Sequence, residues 1–271
     1  MTTDAAPERI LGITVPAALV TAWTGWFCPP LQPFPVDGLP ESLIAQLPAR
    51  SVTPTPEARD TFFLYRGSWR WLDEQEFDGL PREAQRLLRR ARRLATRPKP
   101  PVPWPSSLED GNLGPLLTWI EAGCRPSRHD EVGPATWARC AQVLPQAQQL
   151  AGTFSTRGSG ANCFGTVMAA AGVPETAESW VQADDFSAWL RGAAEPVRGR
   201  TGDDRPGTVL VWWVRGEAVH AALTLGDGWA LSKPSQSWSS PRLVRSVRET
   251  ILGWRLPGTR LSRHVLHRSA R

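Results

Sequence analysis

The sequence predicts an α+β protein in which a cysteine-bearing helix packs on an antiparallel sheet, preceded by a mainly helical segment. Positions 162 to 172 are mostly small and apolar residues, with Cys163 near their start, which is typical of a buried helix. The pattern then alternates, and the connections at 215–217 and 226–228 are too short for a crossover, so neighbouring strands must be antiparallel. The predicted strands are 208–214, 218–225, 229–233 and 243–248.

The earlier part of the chain has a mostly helical pattern, beginning with a buried helix from about Pro16. Prolines are concentrated between residues 98 and 105, where they exclude a helix and favour an extended chain. We predict a mainly helical N-terminal segment over 1–97, whose role the sequence does not indicate. A proline-rich linker over 98–112 and the cysteine-bearing domain with its leading helices over 113–271 complete the chain.

Composition indicates a globular protein. The 271 residues are 41% hydrophobic and include 14 tryptophans, enough for a substantial core. The formal net charge is +5, but Lys99 and Lys233 are the only lysines, an arginine bias that a GC-rich genome produces by itself. The densest basic run, 82–97, forms a helix with leucine and alanine on one side and arginine on the other. No aromatic residues interleave with these arginines, so we expect a solvated face and no nucleic-acid partner.

The four cysteines and four histidines bear on the compartment and on metal binding. The cysteines are not closely paired, and the first residues are acidic rather than basic, so we expect no secretory leader and a reducing cytoplasm; export by another route stays open. The apolar stretch 10–27 is diluted by threonine, proline and glycine below what a membrane span needs, so no membrane partner is expected. Cys124, His129 and Cys140 lack the spacing of a metal site, and neither a metal nor another cofactor is expected.

Cys163 and His220 are the candidate catalytic residues. A helix N-terminus offers unpaired N–H groups and partial positive charge, which lower the pKa of a thiol, and an imidazole then holds the thiolate as an ion pair. His220 opens a predicted strand, and Gly165 and Ala169 are small enough to let the cysteine helix approach the sheet. The alternatives are that Cys163 is a small buried hydrophobe and that His220 is an ordinary core side chain.

Three pieces of sequence carry a resemblance to a known family. They are Asn-Cys-Phe-Gly at 162–165, the Pro-Gly-Thr-Val strand from Pro206, and His220 ahead of a Gly-Asp-Gly turn. In order and spacing, residues 158–250 resemble the NlpC-type cysteine peptidases, relatives of papain. The resemblance covers about a third of the chain. It implies a papain-like fold, a Cys163 nucleophile, a His220 base and a peptide, amide or ester substrate, with Ser232 at the position that orients the imidazole.

Two positions depart from the family pattern. Asn162 stands where peptidoglycan-cutting members commonly carry an aspartate that binds a free substrate amine, and Ser232 stands where a histidine is usual. A three-residue Gly-Asp-Gly loop places Ser232 on the same sheet face as His220, whereas a two-residue turn places Lys233 there. We favour the three-residue loop.

Two functions follow from these residues. The first is a cysteine-dependent hydrolase, peptidase or amidase, or an acyltransferase, that acts on an amide or ester through a Cys-His dyad. The second is a catalytically silent papain-like module that binds a protein or polyanion, which the serine at 232 favours. The identity of the substrate and the oligomeric state are not indicated.

Overall fold

The computed structural model describes residues 8–96, 98–199 and 202–267. The chain divides into two compact units, one of residues up to Ile10 together with Thr14–Arg125, and the other of Leu11–Ile13 together with residues from Pro126 onward. The helix at 114–121 thus belongs to the first unit, whereas the sequence analysis grouped it with the C-terminal region. Within the described ranges, no helix has the length and apolar character needed to cross a membrane.

Up to Arg125 the elements are β1 (Glu8–Ile10), β2 (Ile13–Val15), α1 (Ala17–Phe27), β3 (Gln32–Pro35), α2 (Glu41–Ile44), α3 (Pro56–Phe62), β4 (Trp69–Leu72), α4 (Glu74–Asp78), α5 (Arg82–Ala95), a 3₁₀ helix (Pro105–Gly111) and α6 (Gly114–Glu121). Strands β3 and β4 pair antiparallel and pack with α5 around a core centred on Phe34, Phe77 and Leu88. The helix predicted from about Pro16 is present as α1, which begins at Ala17.

The basic helix is present as α5, although Arg97 lies outside the described residues. Its buried side includes Arg92 as well as alanine and leucine. The Arg92 guanidinium donates to Gln32 Oε1 at 2.6 Å and to the Val102 carbonyl at 2.9 Å, and it lies 4.9 Å from the ring centres of Phe34 and Phe62. A buried cation is tolerated here because hydrogen bonds and aromatic faces replace its water.

The proline-rich segment is not an extended linker throughout. The carbonyl of Pro103 accepts a hydrogen bond from Gln32 Nε2 at 2.7 Å, and Val102 is buried. The chain then forms the 3₁₀ helix, which proline permits at its first position. The segment is therefore part of the first unit, held by carbonyl groups that a sequence pattern does not reveal.

After Arg125 the elements are a 3₁₀ helix (His129–Glu131), α7 (Pro134–Ala141), α8 (Ala147–Leu150), α9 (Cys163–Ala170), a 3₁₀ helix (Thr176–Glu178), α10 (Ala183–Ala193), β5 (Ala194–Val197), β6 (Pro206–Val214), β7 (Glu217–Gly226), β8 (Trp229–Ser232), β9 (Leu243–Ser246), α11 (Val247–Gly253) and β10 (Arg260–Leu266). The six strands β5 to β10 form one antiparallel sheet in the order β5-β10-β6-β7-β8-β9. The predicted α+β class and the antiparallel sheet are confirmed. The strands β5 and β10 and the helix α11 were not predicted.

The sheet buries both faces in the second unit. One face presents Val211, Ala221 and Leu223 to the core that contains α9 and Cys163. The opposite face presents Trp212 and Ala222 to α11 and the segment after it. Because side chains alternate along a strand, Ala221 faces the cysteine helix while His220 faces the other side.

Candidate active site

Cys163 is the first residue of α9, and Asn162 caps the helix. The Asn162 side chain accepts a hydrogen bond from the Gly165 N–H at 2.9 Å and donates one to the Val181 carbonyl at 2.7 Å. An asparagine is a favourable N-cap because it satisfies a free N–H of the first turn. Both ends of the amide are thus used to position the residue that follows it.

Burial dominates the electrostatics of the thiol. Cys163 is only 8% exposed, and burial raises the pKa of its thiol to about 11. Hydrogen bonds from the backbone of Ala221, of Phe164 and of Cys163 itself lower the pKa, as does the charge of Lys233, but they do not overcome burial. The expectation of a preformed thiolate is therefore wrong for this state, since the loss of hydration outweighs the helix N-terminus.

His220 lies on β7, opposite Trp212, in an aromatic environment. Its imidazole stacks on the indole of Trp254 with ring centres 3.8 Å apart and planes 10° apart, and Trp212 lies 5.2 Å away in a tilted arrangement. The Nε2 atom is buried without a hydrogen-bond partner, and burial lowers the pKa of the imidazole to about 3. His220 is therefore neutral, with one ring nitrogen unsatisfied.

Both candidate residues line one pocket of about 440 Å³, which we call the Cys163 pocket. Its walls come from the starts of α9, α10 and β7, from the loop after β8, and from the residue that follows α11. The lining residues are Asn162, Cys163, Phe164, Trp180, Val181, Gln182, Ala183, Ala218, Val219, His220, Lys233, Pro234, Ser235, Gln236 and Trp254. The resting pair is a neutral thiol and a neutral imidazole, with no hydrogen bond to His220 Nε2.

The third predicted residue, Ser232, lies close to this arrangement but does not complete it. The predicted three-residue loop is wrong, because Gly226 pairs with Trp229 and leaves only Asp227 and Gly228 in the turn. A bulge between Thr224 and Gly226 shifts the register back, so that the pairs Leu223–Leu231 and Thr224–Ala230 still place Ser232 on the same sheet face as His220. The hydrogen bonds found among the described residues include none between Ser232 and His220, and Ser232 does not line the Cys163 pocket. Aromatic contacts, rather than this hydroxyl, surround the imidazole.

Lys233, the next residue, has a structural role that the sequence analysis missed. It is fully buried, and its Nζ donates to the carbonyls of Ser235 at 2.9 Å, Ser237 at 3.1 Å and Ser240 at 2.6 Å. The ammonium thereby folds the loop after β8 into a wall of the pocket. The Gly160 N–H donates to the carbonyl of Gln236 at 2.9 Å, which ties this loop to the glycine-rich loop before Cys163.

Two tryptophans of the pocket were likewise missed. Trp254 lies beyond the stretch 158–250 that carries the family resemblance, and Trp180 lies inside it without belonging to any matching motif. A helix start was nevertheless signalled by Ser246 and Glu249, whose side chains form a capping box at the start of α11. That signal predicts a helix just before Trp254, but it does not indicate that the indole of Trp254 stacks on His220.

Neither a metal centre nor a known family emerges from this arrangement. Within the described ranges, no three histidine, cysteine, aspartate or glutamate side chains are grouped so that they could hold a metal ion. No family model, curated protein or solved structure matches the chain. What the fold and the site define is an α+β protein with a thiol and an imidazole in one pocket.

Proposed function

We propose that the protein is a cysteine-dependent hydrolase or acyltransferase with a papain-like core, acting on an amide or ester. The observation that carries the proposal is that the thiol at the start of α9 and the imidazole of β7 line one pocket. They occur in the chain order of the NlpC-type peptidases, which is the second support. A papain-like core is consistent with the antiparallel sheet that packs on the cysteine helix.

The neutral resting pair indicates general-base catalysis rather than attack by a stored thiolate. His220 faces the side of the sheet away from α9, so this step requires the imidazole to reach the thiol within the pocket that both line. As Cys163 Sγ bonds to the substrate carbonyl carbon, its proton then passes to His220, and the developing oxyanion is stabilised by backbone N–H groups at the start of α9. The proton then protonates the leaving amine or alcohol, which leaves a thioester on Cys163. Water or an acceptor nucleophile resolves the thioester. Catalytic hydrogen bonds often form only around bound substrate, so their absence from the resting site is compatible with this sequence of steps.

Alanine substitutions test the proposal. Turnover of 4-methylumbelliferyl butyrate should fall at least about a hundredfold in Cys163→Ala and in His220→Ala, and the double variant should be no worse than either, because both residues act in one step. The matched control is Cys140→Ala, which removes another buried thiol from the same core. It should retain wild-type turnover.

The acyl-enzyme gives a second readout. Rapid quenching should trap an adduct of the acyl mass on Cys163, and neutral hydroxylamine should remove it, as expected for a thioester. Turnover that persists in Cys163→Ala, or an acyl group found on Cys140 instead, would reject the nucleophile assignment.

A silent binding module is the second candidate, and the surroundings of His220 favour it. Trp254 covers the imidazole, whose pKa burial lowers to about 3, and Ser232 makes no hydrogen bond to it. If the protein is such a module, no ester or amide should acylate Cys163. The protein should also bind a polyanion such as heparin through the arginines of α5, and added salt should weaken this binding. Acylation of Cys163 would dismiss it.

A further inference from the structure

The charges around the Cys163 pocket restrict what it can bind. Among the described residues that line it, the ionisable groups are Cys163, His220 and Lys233, and no carboxylate is present. Cys163 and His220 are held uncharged by burial. A substrate ammonium would thus enter a partly dehydrated site without a counter-ion, which is strongly unfavourable.

Lys233 does not offer its charge to an anionic substrate either. Its ammonium has three N–H donors, and each has a backbone carbonyl within hydrogen-bonding distance, those of Ser235, Ser237 and Ser240. The side chain is fully buried behind them. A substrate carboxylate would have to break this arrangement before it could pair with the ammonium.

The amide of Asn162 is equally committed. Its oxygen accepts from the Gly165 N–H and its nitrogen donates to the Val181 carbonyl, so neither end is directed to a ligand. The position that binds a free amine in the peptidoglycan-cutting relatives therefore has a purely structural role in this chain.

Large apolar side chains lie at the mouth of the pocket, beside the exposed and uncharged polar side chains of Gln182 and Ser235. Trp180 is 53% exposed and Val219 is 39% exposed, and both line the pocket, with Trp254 forming a further wall. Large apolar side chains left in water around a concave site indicate a surface that a ligand covers. Indole faces also provide large, rigid contact area for aliphatic and aromatic groups.

We infer that the Cys163 pocket takes substrates whose acyl part is apolar and uncharged, such as a medium-chain acyl group, and rejects those whose acyl part carries a free amine or carboxylate. The inference rests on the proposed function for its chemical step and on the lining residues for its selectivity. A pocket of about 440 Å³ is large enough for a chain of this kind. Cys163 Sγ would take the acyl group, and the alcohol or amine would leave with the proton carried by His220.

Three esters of matched length test the selectivity. They are the 4-methylumbelliferyl esters of hexanoate, 6-aminohexanoate and adipate. Carbon 6 of the acyl chain is a methyl group in the first, carries an ammonium in the second and is a carboxylate in the third. With the wild-type protein, kcat/KM should be at least about tenfold higher for hexanoate than for either charged ester, and about tenfold higher for hexanoate than for acetate, because added methylenes are buried. Either charged ester within threefold of hexanoate would overturn the inference.

Two substitutions at the mouth sharpen the test. Trp180→Ser should lower the ratio of kcat/KM for hexanoate to kcat/KM for acetate about tenfold, because the longer acyl chain loses more apolar contact. Val219→Asp, which introduces a carboxylate, should raise kcat/KM for 6-aminohexanoate relative to hexanoate. The control is Leu252→Ser, because Leu252 is 52% exposed but lies outside the pocket. Equal effects of Trp180→Ser and Leu252→Ser would also overturn the inference.

A binding measurement separates failure of selectivity from failure of catalysis. Saturation-transfer NMR on hexanamide, 6-aminohexanamide and adipamate needs no turnover and detects weak binding. If no ester is turned over, or turnover survives Cys163→Ala, the proposed function fails. Stronger transfer to hexanamide that is lost in Trp180→Ser would still support an apolar ligand site, and equal transfer to all three amides would refute it.

Discussion

Cys163 and His220 lose their hydration to different neighbours. The thiol lies against the backbone of β7, whereas the imidazole stacks on Trp254 and contacts Trp212 at a tilt on the other face of the sheet. In both cases burial disfavours the charged form, which raises the thiol pKa and lowers the imidazole pKa. The local environment therefore selects the neutral pair.

The buried imidazole makes the stability of the protein depend on pH. In the unfolded chain His220 binds a proton below about pH 6.5, whereas in the folded protein its pKa is about 3. The unfolded state therefore carries more protons between these values, so the contribution of His220 is fully present above pH 6.5 and is lost as the pH falls toward 3.

Substitution of His220 by a group that does not titrate should remove this dependence. In His220→Gln, the slope of the unfolding free energy between pH 4 and 6 should fall by about 1.4 kcal/mol per pH unit, the value for one proton. Urea unfolding across this range measures it. His267→Gln is the control, because His267 is exposed. An unchanged slope in His220→Gln would contradict the burial of a neutral imidazole.

The two lysines of this arginine-rich chain share one structural solution. Lys99, like Lys233, directs its ammonium to three backbone carbonyls, here those of Trp119 at 2.8 Å, Ile120 at 3.1 Å and Ala122 at 2.9 Å. Three tetrahedral N–H donors match such a cage, whereas the planar guanidinium of arginine does not. The composition shows that lysine is rare in this chain, but only the fold brings three carbonyl groups around each ammonium.

At the scale of elements, α9 is positioned by a contact that the sequence analysis assigned to the wrong neighbour. Gly165 was expected to let the helix approach the sheet. Instead, a Cβ at Gly165 would lie 2.3 Å from the carbonyl oxygen of Thr176 and 3.0 Å from that of Ser179. The absence of a side chain thus lets the cysteine helix pack against the backbone of the 3₁₀ helix.

A methyl group at this position should therefore destabilise the protein. We expect Gly165→Ala to cost roughly 2 kcal/mol or more, because backbone rather than a flexible side chain must move. Gly192→Ala is the matched control, since Gly192 lies in α10 with open space around its Cβ position and should gain up to about 1 kcal/mol from helix propensity. The difference between the two urea midpoints is the measurement. Equal midpoints would contradict the close contact.

The strands predicted from clear alternation of side chains are present as β6, β7 and β8. The prediction was less accurate where a helix cap or a run of charged residues interrupts the alternation. The strand predicted over 243–248 ends at Ser246, because the Ser246–Glu249 capping box begins α11 there. Strand β10 was not predicted, because its arginines mask the alternation of apolar and polar residues. Its Arg263 pairs with Asp203 at 2.6 Å, so a charge that suggested solvent is satisfied within the unit.

At the scale of the whole molecule, the end of the chain completes the sheet. Strand β10 lies between β5 and β6 and pairs antiparallel with both. Val265 pairs with Glu195 on one side and Thr208 on the other, so the backbone around it serves two ladders. The sheet that carries His220 therefore depends on residues far along the chain.

A proline in β10 tests this dependence. Val265→Pro removes a ladder N–H from an interior strand and should cost about 2 kcal/mol or more. Val265→Thr keeps the backbone and the β-branched shape, and Val265 is 37% exposed, so this control should change stability little. Urea unfolding, with hydrogen exchange of peptides from β5 and β6, compares them. Wild-type protection in Val265→Pro would place β10 outside the sheet.

The sequence by itself determined the local elements: a capped helix that begins at Cys163, strands of alternating residues, and short turns that force neighbours to be antiparallel. It also selected Cys163 and His220, which line one pocket. Only the tertiary structure decided that their charges are suppressed, that Trp254 rather than Ser232 contacts the imidazole, and that β10 enters the middle of the sheet. The physical reason is that periodicity and turn chemistry act over a few residues, whereas hydration and aromatic packing depend on segments brought together by the fold.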